Sequence, residues 1–199
     1  GIERTSRLAQ QLLDAARVEA GGSSARAADV DLALVAGMVA DEFELLALRN
    51  DQSIEVEAGH APVHGDIDDL GILVRNLLDN ALRHGGPGTR VRVETRVEVE
   101  EDARMATLIV ADDGPGIAHG DRERVFERFY RAGDGLRAQG IGMGLSLVER
   151  VVAAHGGRLY SGVGLDGRGF GVEIRLPMSA AGRTQADRLG AAQAAMIDG

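Results

Sequence analysis

Cysteine, lysine and tryptophan are absent from this sequence of 199 residues, and aromatic residues make up only 3% of it. Without cysteine there is no disulfide, no thiolate nucleophile and no cysteine-built zinc site, and an intracellular setting is expected. Without lysine, all 22 basic residues are arginine, which excludes Schiff-base chemistry and the Walker phosphate loop G-x-x-x-x-G-K-[ST]. Nor is there a basic excess. The 31 acidic side chains leave a net charge of −9, which argues against a sequence-independent grip on nucleic acid. No apolar run reaches the roughly 18 residues of a membrane-spanning helix, and no signal-peptide pattern occurs, so these residues are expected to make no membrane contact. What is present, 44% hydrophobic and 27% charged residues, suits a globular chain of one domain plus an appendage.

Periodicity divides the chain into alternating elements. Residues 4–20 predict a helix with Leu8, Leu12 and Ala16 on one stripe, closed by the small, polar stretch "GGSSARAA". A second helix follows, with Asp29 or Asp31 as its cap and Leu32, Val35, Val39 and Phe43 at helical spacing. "SIEVEAG" and "APVHGD" read as short strands, and 66–84 as a third helix. "TRVRVETRVEVE" alternates valine with charge, the mark of a half-buried strand, and "ATLIVADD" reads as a more buried one. A helix at 143–155 and the strands "RLYSGV" and "GVEIRLP" complete the pattern, before an Ala-rich tail. Strand pairs that follow one another without an intervening helix predict a two-layer α/β sandwich. Its mixed, mainly antiparallel sheet would be covered by helices on one side and preceded by one helix.

Four segments carry chemistry. In "GIGMGLSLVERVVAAHGG", Gly140, Gly142 and Gly144 precede a helix, so that several N–H groups and the positive helix end can face one anion. The same glycines also suit a loop in which they are only turn residues. A dinucleotide fingerprint is excluded, because Leu145 stands where its third glycine would be and no apolar strand precedes. In "LGILVRNLLDNALRHGG", Leu70, Val74, Leu77 and Ala81 form an apolar face. Asn76 and Asn80, about 40° apart around the axis, form a polar stripe with Arg83. Amide oxygens suit Mg²⁺ and an arginine suits phosphate. In "TLIVADDGPGIAHG", an aspartate at the end of a buried strand can accept a hydrogen bond from an exocyclic amine such as that of adenine, or serve only as a local turn cap. "RVFERFYR" concentrates aromatics in an aromatic-poor chain, as a packing cluster or as a latch on a mobile loop.

In this order and at these distances the set resembles the ATP-binding domain of sensor histidine kinases, within the larger family of Hsp90, type II topoisomerases and MutL. "NLLDNALRH" is similar to the family's asparagine box, "DDGPGI" to its first glycine box, "VFERFYR" to its phenylalanine box and "GIGMGL" to its second glycine box. The resemblance covers residues 1 to about 177 and implies ATP and Mg²⁺ as ligands. It implies that Asn80 coordinates the metal with Asn76 as its partner, and that Arg83 and His84 lie near the phosphates and nucleotide. Asp112 would recognise the adenine amine, with Gly114, Gly116 and Ile117 lining the ring. Arg131 would reach the terminal phosphate from a lid, and Gly140, Ile141, Gly142, Met143, Gly144 and Leu145 would form the phosphate-facing turn. Asn76, Asn80 and Arg131 are thus the implied catalytic residues.

Three departures from the family pattern stand out. Arg83 occupies a position where lysine is frequent. Asp113 replaces asparagine and adds charge beside Asp112. "GRGFGV" lacks a hydroxyl residue often found there, so no site is assigned to it.

The implied division is 1–21, the last helix of a dimerisation and phosphotransfer module; 22–28, a linker; 29–178, the catalytic domain; and 179–199, the tail. None of His60, His64, His84, His119 and His155 has the helical surroundings of the family's phosphoacceptor. That residue is expected upstream, in a cytoplasmic, dimeric region of a longer protein anchored in the inner membrane. A response-regulator receiver domain is the implied partner. Two alternatives are an ATPase of the chaperone or topoisomerase branch and a non-catalytic nucleotide-sensing module. The first commonly carries a glutamate at the Asn76 position, which this sequence lacks.

Overall fold

The structure is a computed structural model that describes residues 9, 12–18, 26–100, 103–127, 130 and 143–184. Residues 12–18 are helical (α1). There follow β1 (Ala28–Asp31), α2 (Leu32–Arg49), β2 (Ser53–Ala58), β3 (Pro62–Gly65), α3 (Ile67–Gly85), β4 (Arg90–Glu100), β5 (Ala103–Asp112), α4 (Gly144–Ala154), β6 (Arg158–Val163) and β7 (Phe170–Pro177). Short 3₁₀ turns occupy His119–Asp121, Arg124–Phe126 and Leu165–Gly167. The main sheet has the order β2-β4-β5-β7-β6, while β1 and β3 form a separate antiparallel pair. Only β2 and β4 run parallel in the main sheet; its other neighbours are antiparallel. This is the predicted mixed sandwich.

The sheet has one dry face and one wet one. Val91 and Val93, Ala106, Leu108 and Val110, and Val172, Ile174 and Leu176 alternate along their strands and are buried with Leu32, Leu70, Val74, Leu78 and Val148 of the helices. Each such valine, leucine or isoleucine stabilises the fold by about 1.5–3 kcal/mol relative to exposure. The intervening positions carry ion pairs, among them Arg92 with Glu55 (3.1 Å), Arg96 with Glu98 (2.7 Å) and Arg158 with Glu100 (3.0 Å). These half-exposed pairs contribute about 0–1 kcal/mol each and chiefly keep that face solvated. Period two in the sequence therefore reads directly as inside and outside.

Two expectations change. The segment before α2 is strand β1, because Asp29 pairs in register with His64 and Asp31 with Pro62. Asp31 is then the cap: its Oδ1 accepts from Ala33 N–H (3.0 Å) and from Ala61 N–H (2.9 Å). The second change concerns α1, whose expected apolar stripe is turned outward. Leu12 is 58% exposed and Ala16 is exposed, whereas Asp14 is buried and Val18 packs on the core; Leu8 lies outside the described residues. Polar contact sets this rotation. Arg17 pairs with Asp68 and lies 3.8 Å from Asp66 and 3.9 Å from Asp69, the acidic start of α3.

Candidate nucleotide site

Helix α3 is the wall of the site. Leu70, Val74, Leu77 and Ala81 are buried as its periodicity requires. Asp66 caps it, accepting from Asp68 N–H at 2.8 Å. The stripe of Asn76, Asn80 and Arg83 has three different environments. Asn76 is buried and its Nδ2 donates to Ile72 C=O (2.8 Å), which leaves Oδ1 directed at the start of α4. A Cβ at Gly144 would lie 3.0 Å from that oxygen, so glycine permits the approach. Asn80 is half-buried. Arg83 pairs with Asp79 one turn earlier (2.5 Å), a partner the stripe did not predict. His84 is exposed at the end of the helix.

Helix α4 opens at Met143 with no side-chain cap; Ser146 Oγ instead donates to Met143 C=O at 2.9 Å. Its first N–H groups are thus available to an acceptor from outside the helix, at its positive end. Leu145 is buried. The remaining glycine-box positions Gly140, Ile141 and Gly142, together with Arg131 and Phe129, lie outside the described residues. Val125 and Phe126, from the aromatic segment, are buried in the core.

The opposite end of the site is built around Asp112, the last residue of β5, which is 4% exposed. Its Oδ1 accepts from Gly114 N–H (2.9 Å) and Phe170 N–H (3.3 Å). The first bond is the local turn cap allowed by the sequence. The second comes from β7 and depends on the fold. Burial raises the Asp112 pKa above the ordinary aspartate value, opposed by the two N–H bonds and assisted by the neighbouring Asp113 charge. Among the described residues both donors use Oδ1, so Oδ2 remains for a further donor.

Glycines close in around this carboxylate. A Cβ at Gly169 would lie 2.0 Å from Asp112 O, and Gly169 has φ +74°. Gly116, also at φ +74°, would place a Cβ 2.6 Å from Gly169 O. Gly114 abuts Gly85 at the end of α3, and Ile117 packs against the core. The stretch to which the sequence assigned no site therefore supplies both Gly169 and Phe170 N–H. Its clue was the glycine density of "DGRGFG", a signal of close backbone approach without a stated partner.

Asp113 behaves differently from its neighbour. It accepts from Arg90 N–H (2.8 Å) and Arg90 Nε (2.9 Å), and Arg168 lies 3.6 Å away. The backbone bond from Arg90 is the main cause holding its pKa below the ordinary range. Its extra charge is thus balanced by arginine, and it reaches Asp112 only as a minor influence after desolvation.

Comparison with known proteins identifies the family and the fold. Residues 65–180 match the family described as histidine kinase-, DNA gyrase B-, and HSP90-like ATPase. The chain is 35% identical over 176 residues to the sensor protein kinase PmrB of Pseudomonas aeruginosa, covering 88% of this chain and 36% of that protein. It is 38% identical over 159 residues to the histidine-protein kinase/phosphatase MprB of Mycolicibacterium smegmatis, 79% of this chain and 31% of that one. The chain thus spans about a third of the length of these curated relatives. A solved mycobacterial sensor histidine kinase MprB superposes with a TM-score of 0.66 at 34% identity, over 75% of this chain and 97% of that one. Among the described residues no helix is long and apolar enough to cross a membrane. With its asparagine helix, uncapped α4 and buried Asp112 in a matching sandwich, the chain belongs to the histidine kinase-, DNA gyrase B- and HSP90-like ATPase family, as an ATP-binding domain of the sensor histidine kinase kind.

Proposed function

We propose that this domain binds Mg-ATP along α3 and donates the terminal phosphate to a histidine carried by an upstream helix, for relay to a response-regulator aspartate. The observation that carries the reading is the separation of two complementary ends on one helix. Gly85, beside Gly114 and the Asp112 turn, lies nine positions from Asn76, beside the uncapped start of α4. At 1.5 Å per residue this is roughly 14 Å, comparable to an extended nucleoside triphosphate. The buried carboxylate suits the adenine amine, and the N–H groups of α4 suit phosphate. A solved kinase with 25% identity and a TM-score of 0.68, ShkA, is described in complex with AMPPNP.

Asn80 is the proposed Mg²⁺ ligand, with Asn76 beside it. No group of three or more histidine or carboxylate side chains gathers for a metal among the described residues. Amide oxygen, phosphate and water is a donor set that this cation accepts. When bound, Mg²⁺ neutralises charge on the phosphate oxygens. The chain's own part is orientation: Asp112 fixes the base, and Arg83 and the α4 N-terminus hold the phosphates, while the role at the terminal phosphate that the family resemblance implies for Arg131 falls on a residue outside those described. Arg83 would exchange Asp79 for phosphate. Asn80→Leu is expected to remove the magnesium dependence of ATP binding while leaving the thermal midpoint within a few degrees, because Asn80 is outside the apolar face of α3. Retained magnesium dependence in a folded variant would remove Asn80 from the metal site.

The chain is proposed to divide as a dimerisation-module helix (1–21), linker (22–28), catalytic domain (29–178) and tail (179–199). The outward Leu12 and Leu13, 58% and 65% exposed, support a helix that packs on partners elsewhere in a dimeric protein. The histidines lack an acceptor's setting. His60 and His64 are bonded to Asp31 and Asp29 on the β1–β3 pair, and His155 Nδ1 to Val151 C=O. The isolated chain should therefore bind ATP without labelling itself from γ-labelled nucleotide. Adding the upstream histidine helix should restore labelling on that histidine. Stoichiometric acid-labile phosphate on the isolated chain would overturn the proposal.

A further inference from the structure

Helix α2 is apolar on two opposite sides. Leu32, Val35, Val39 and Ala47 are buried in the core, yet Leu34, Met38, Leu45 and Leu48 on the far side are 62–69% exposed. With the exposed Asp41 these form one seam along the helix, at spacings of four, three, four and three residues. A helix that is apolar all round is ordinarily covered all round, and an uncovered apolar stripe marks a contact surface.

The chain itself carries a matching seam. Gly182, Ala186, Leu189, Gln193 and Met196 repeat the same spacing. This second seam begins beside α2. Residues 180–184 are helical, and Ser179 caps them, its Oγ accepting from Gly182 N–H at 3.0 Å. Gly182 is buried against Pro62, where a Cβ would lie 2.3 Å from the proline ring. Pro62 in turn pairs with Asp31, the cap of α2. Leu34 to Leu48 and Gly182 to Met196 both cover 14 residues, roughly 21 Å of helix.

We propose that residues 185–196, which lie outside those described, continue the helix begun at Ala180 and dock parallel to α2, covering its outer seam. In that register Asp41 enters a hole formed by Ala186, Leu189, Gly190 and Gln193. The Gln193 amide is a donor for the Asp41 carboxylate, so the polar position of one seam answers that of the other. A second copy of this chain fits less well. Asp41 is the midpoint of its seam, so two α2 helices would oppose it to itself in either direction, with Glu42 and Glu44 alongside. The tail seam is uncharged. A tethered segment also acts at an effective concentration of about millimolar, far above that of a separate molecule in dilute solution. The inference stands apart from the nucleotide reading and does not rest on it.

The test uses the full chain, which has no cysteine of its own. A variant with both Leu48→Cys and Met196→Cys should form an intramolecular disulfide under mild oxidation, read as a monomer of altered mobility on a non-reducing gel. A second variant with Leu34→Cys and Met196→Cys should not, because its two thiols stand at opposite ends of the paired helices. Leu34 and Leu48 are exposed, so neither substitution touches the core. Adding Gln193→Glu to the first variant sets a like charge against Asp41 and should slow crosslinking about fivefold, the scale of one partly solvated charge pair. Disulfide-linked dimers would mean that a second copy covers α2, and crosslinking of the Leu34 pair would reverse the direction of the tail. No disulfide in either variant would leave the seam for a different molecule, and an unchanged rate with Gln193→Glu would remove the Asp41 pairing. Each of these four results overturns the proposal.

Discussion

Asp112→Asn is expected to lower ATP affinity by about a hundredfold, the cost of leaving buried polar groups mismatched. The substitution keeps shape and volume, and Oδ1 can still accept from Gly114 and Phe170. The change falls on the second atom, which becomes an NH2 donor facing the donor amine of adenine. Guanine, with a carbonyl at that position, should lose less or gain, so the ratio of GTP to ATP affinity rises. Calorimetry that finds wild-type ATP affinity in this variant would remove Asp112 from the base-recognition site.

The same residue predicts a pH dependence. Burial raises its pKa above the ordinary value of 3.8, so the proton arrives at a higher pH than in an exposed aspartate. ATP affinity should fall as pH drops through that raised value, and the Asn variant should lack this step. Stability runs the other way. A carboxyl whose folded pKa is raised contributes stability that is fully present below the unfolded value and lost as pH rises through the folded one. For Asp112 taken alone, acidification thus favours the fold while weakening the nucleotide. Asp113, with its pKa lowered by Arg90, contributes stability above its unfolded value that is lost as pH falls through the folded one.

Gly169→Ala is expected to destabilise the chain by about 3 kcal/mol, combining left-handed backbone strain with a clash. The new Cβ would stand 2.0 Å from Asp112 O and 2.6 Å from its Oδ1. Both opposing atoms belong to Asp112, the residue proposed to recognise the base, so nucleotide binding should fall with stability. Gly162→Ala is the control. Nothing lies within 4 Å of its Cβ, and its unfolding midpoint in urea should stay within about 0.5 kcal/mol of the parent. Equal stability of the two variants would mean that β7 can move away from Asp112, and the rigidity argued for this end of the site would be lost.

Local pattern alone determined most of the elements and their faces. Alternating valine in β4 and the three- and four-residue spacing of Leu70, Val74, Leu77 and Ala81 describe which side of each element is dry, because burial follows the period of the backbone. The cap of α2 was legible to within two candidates, and the asparagine stripe of α3 was legible by helical angle. Three features required the folded chain. The strand β1 exists only because β3 lies beside it, and no pattern within "ADVD" carries that pairing. The rotation of α1 follows Arg17 meeting three aspartates about fifty residues away, against its own apolar stripe. Gly169 and Phe170 meet Asp112 from nearly 60 positions away in sequence, Phe170 from 58, so their contribution to the site could not be read from their neighbours. Sequence determines what lies within one turn or one strand of a residue; contacts between distant segments, and the charges they balance, are decided only when the sheet brings those segments together.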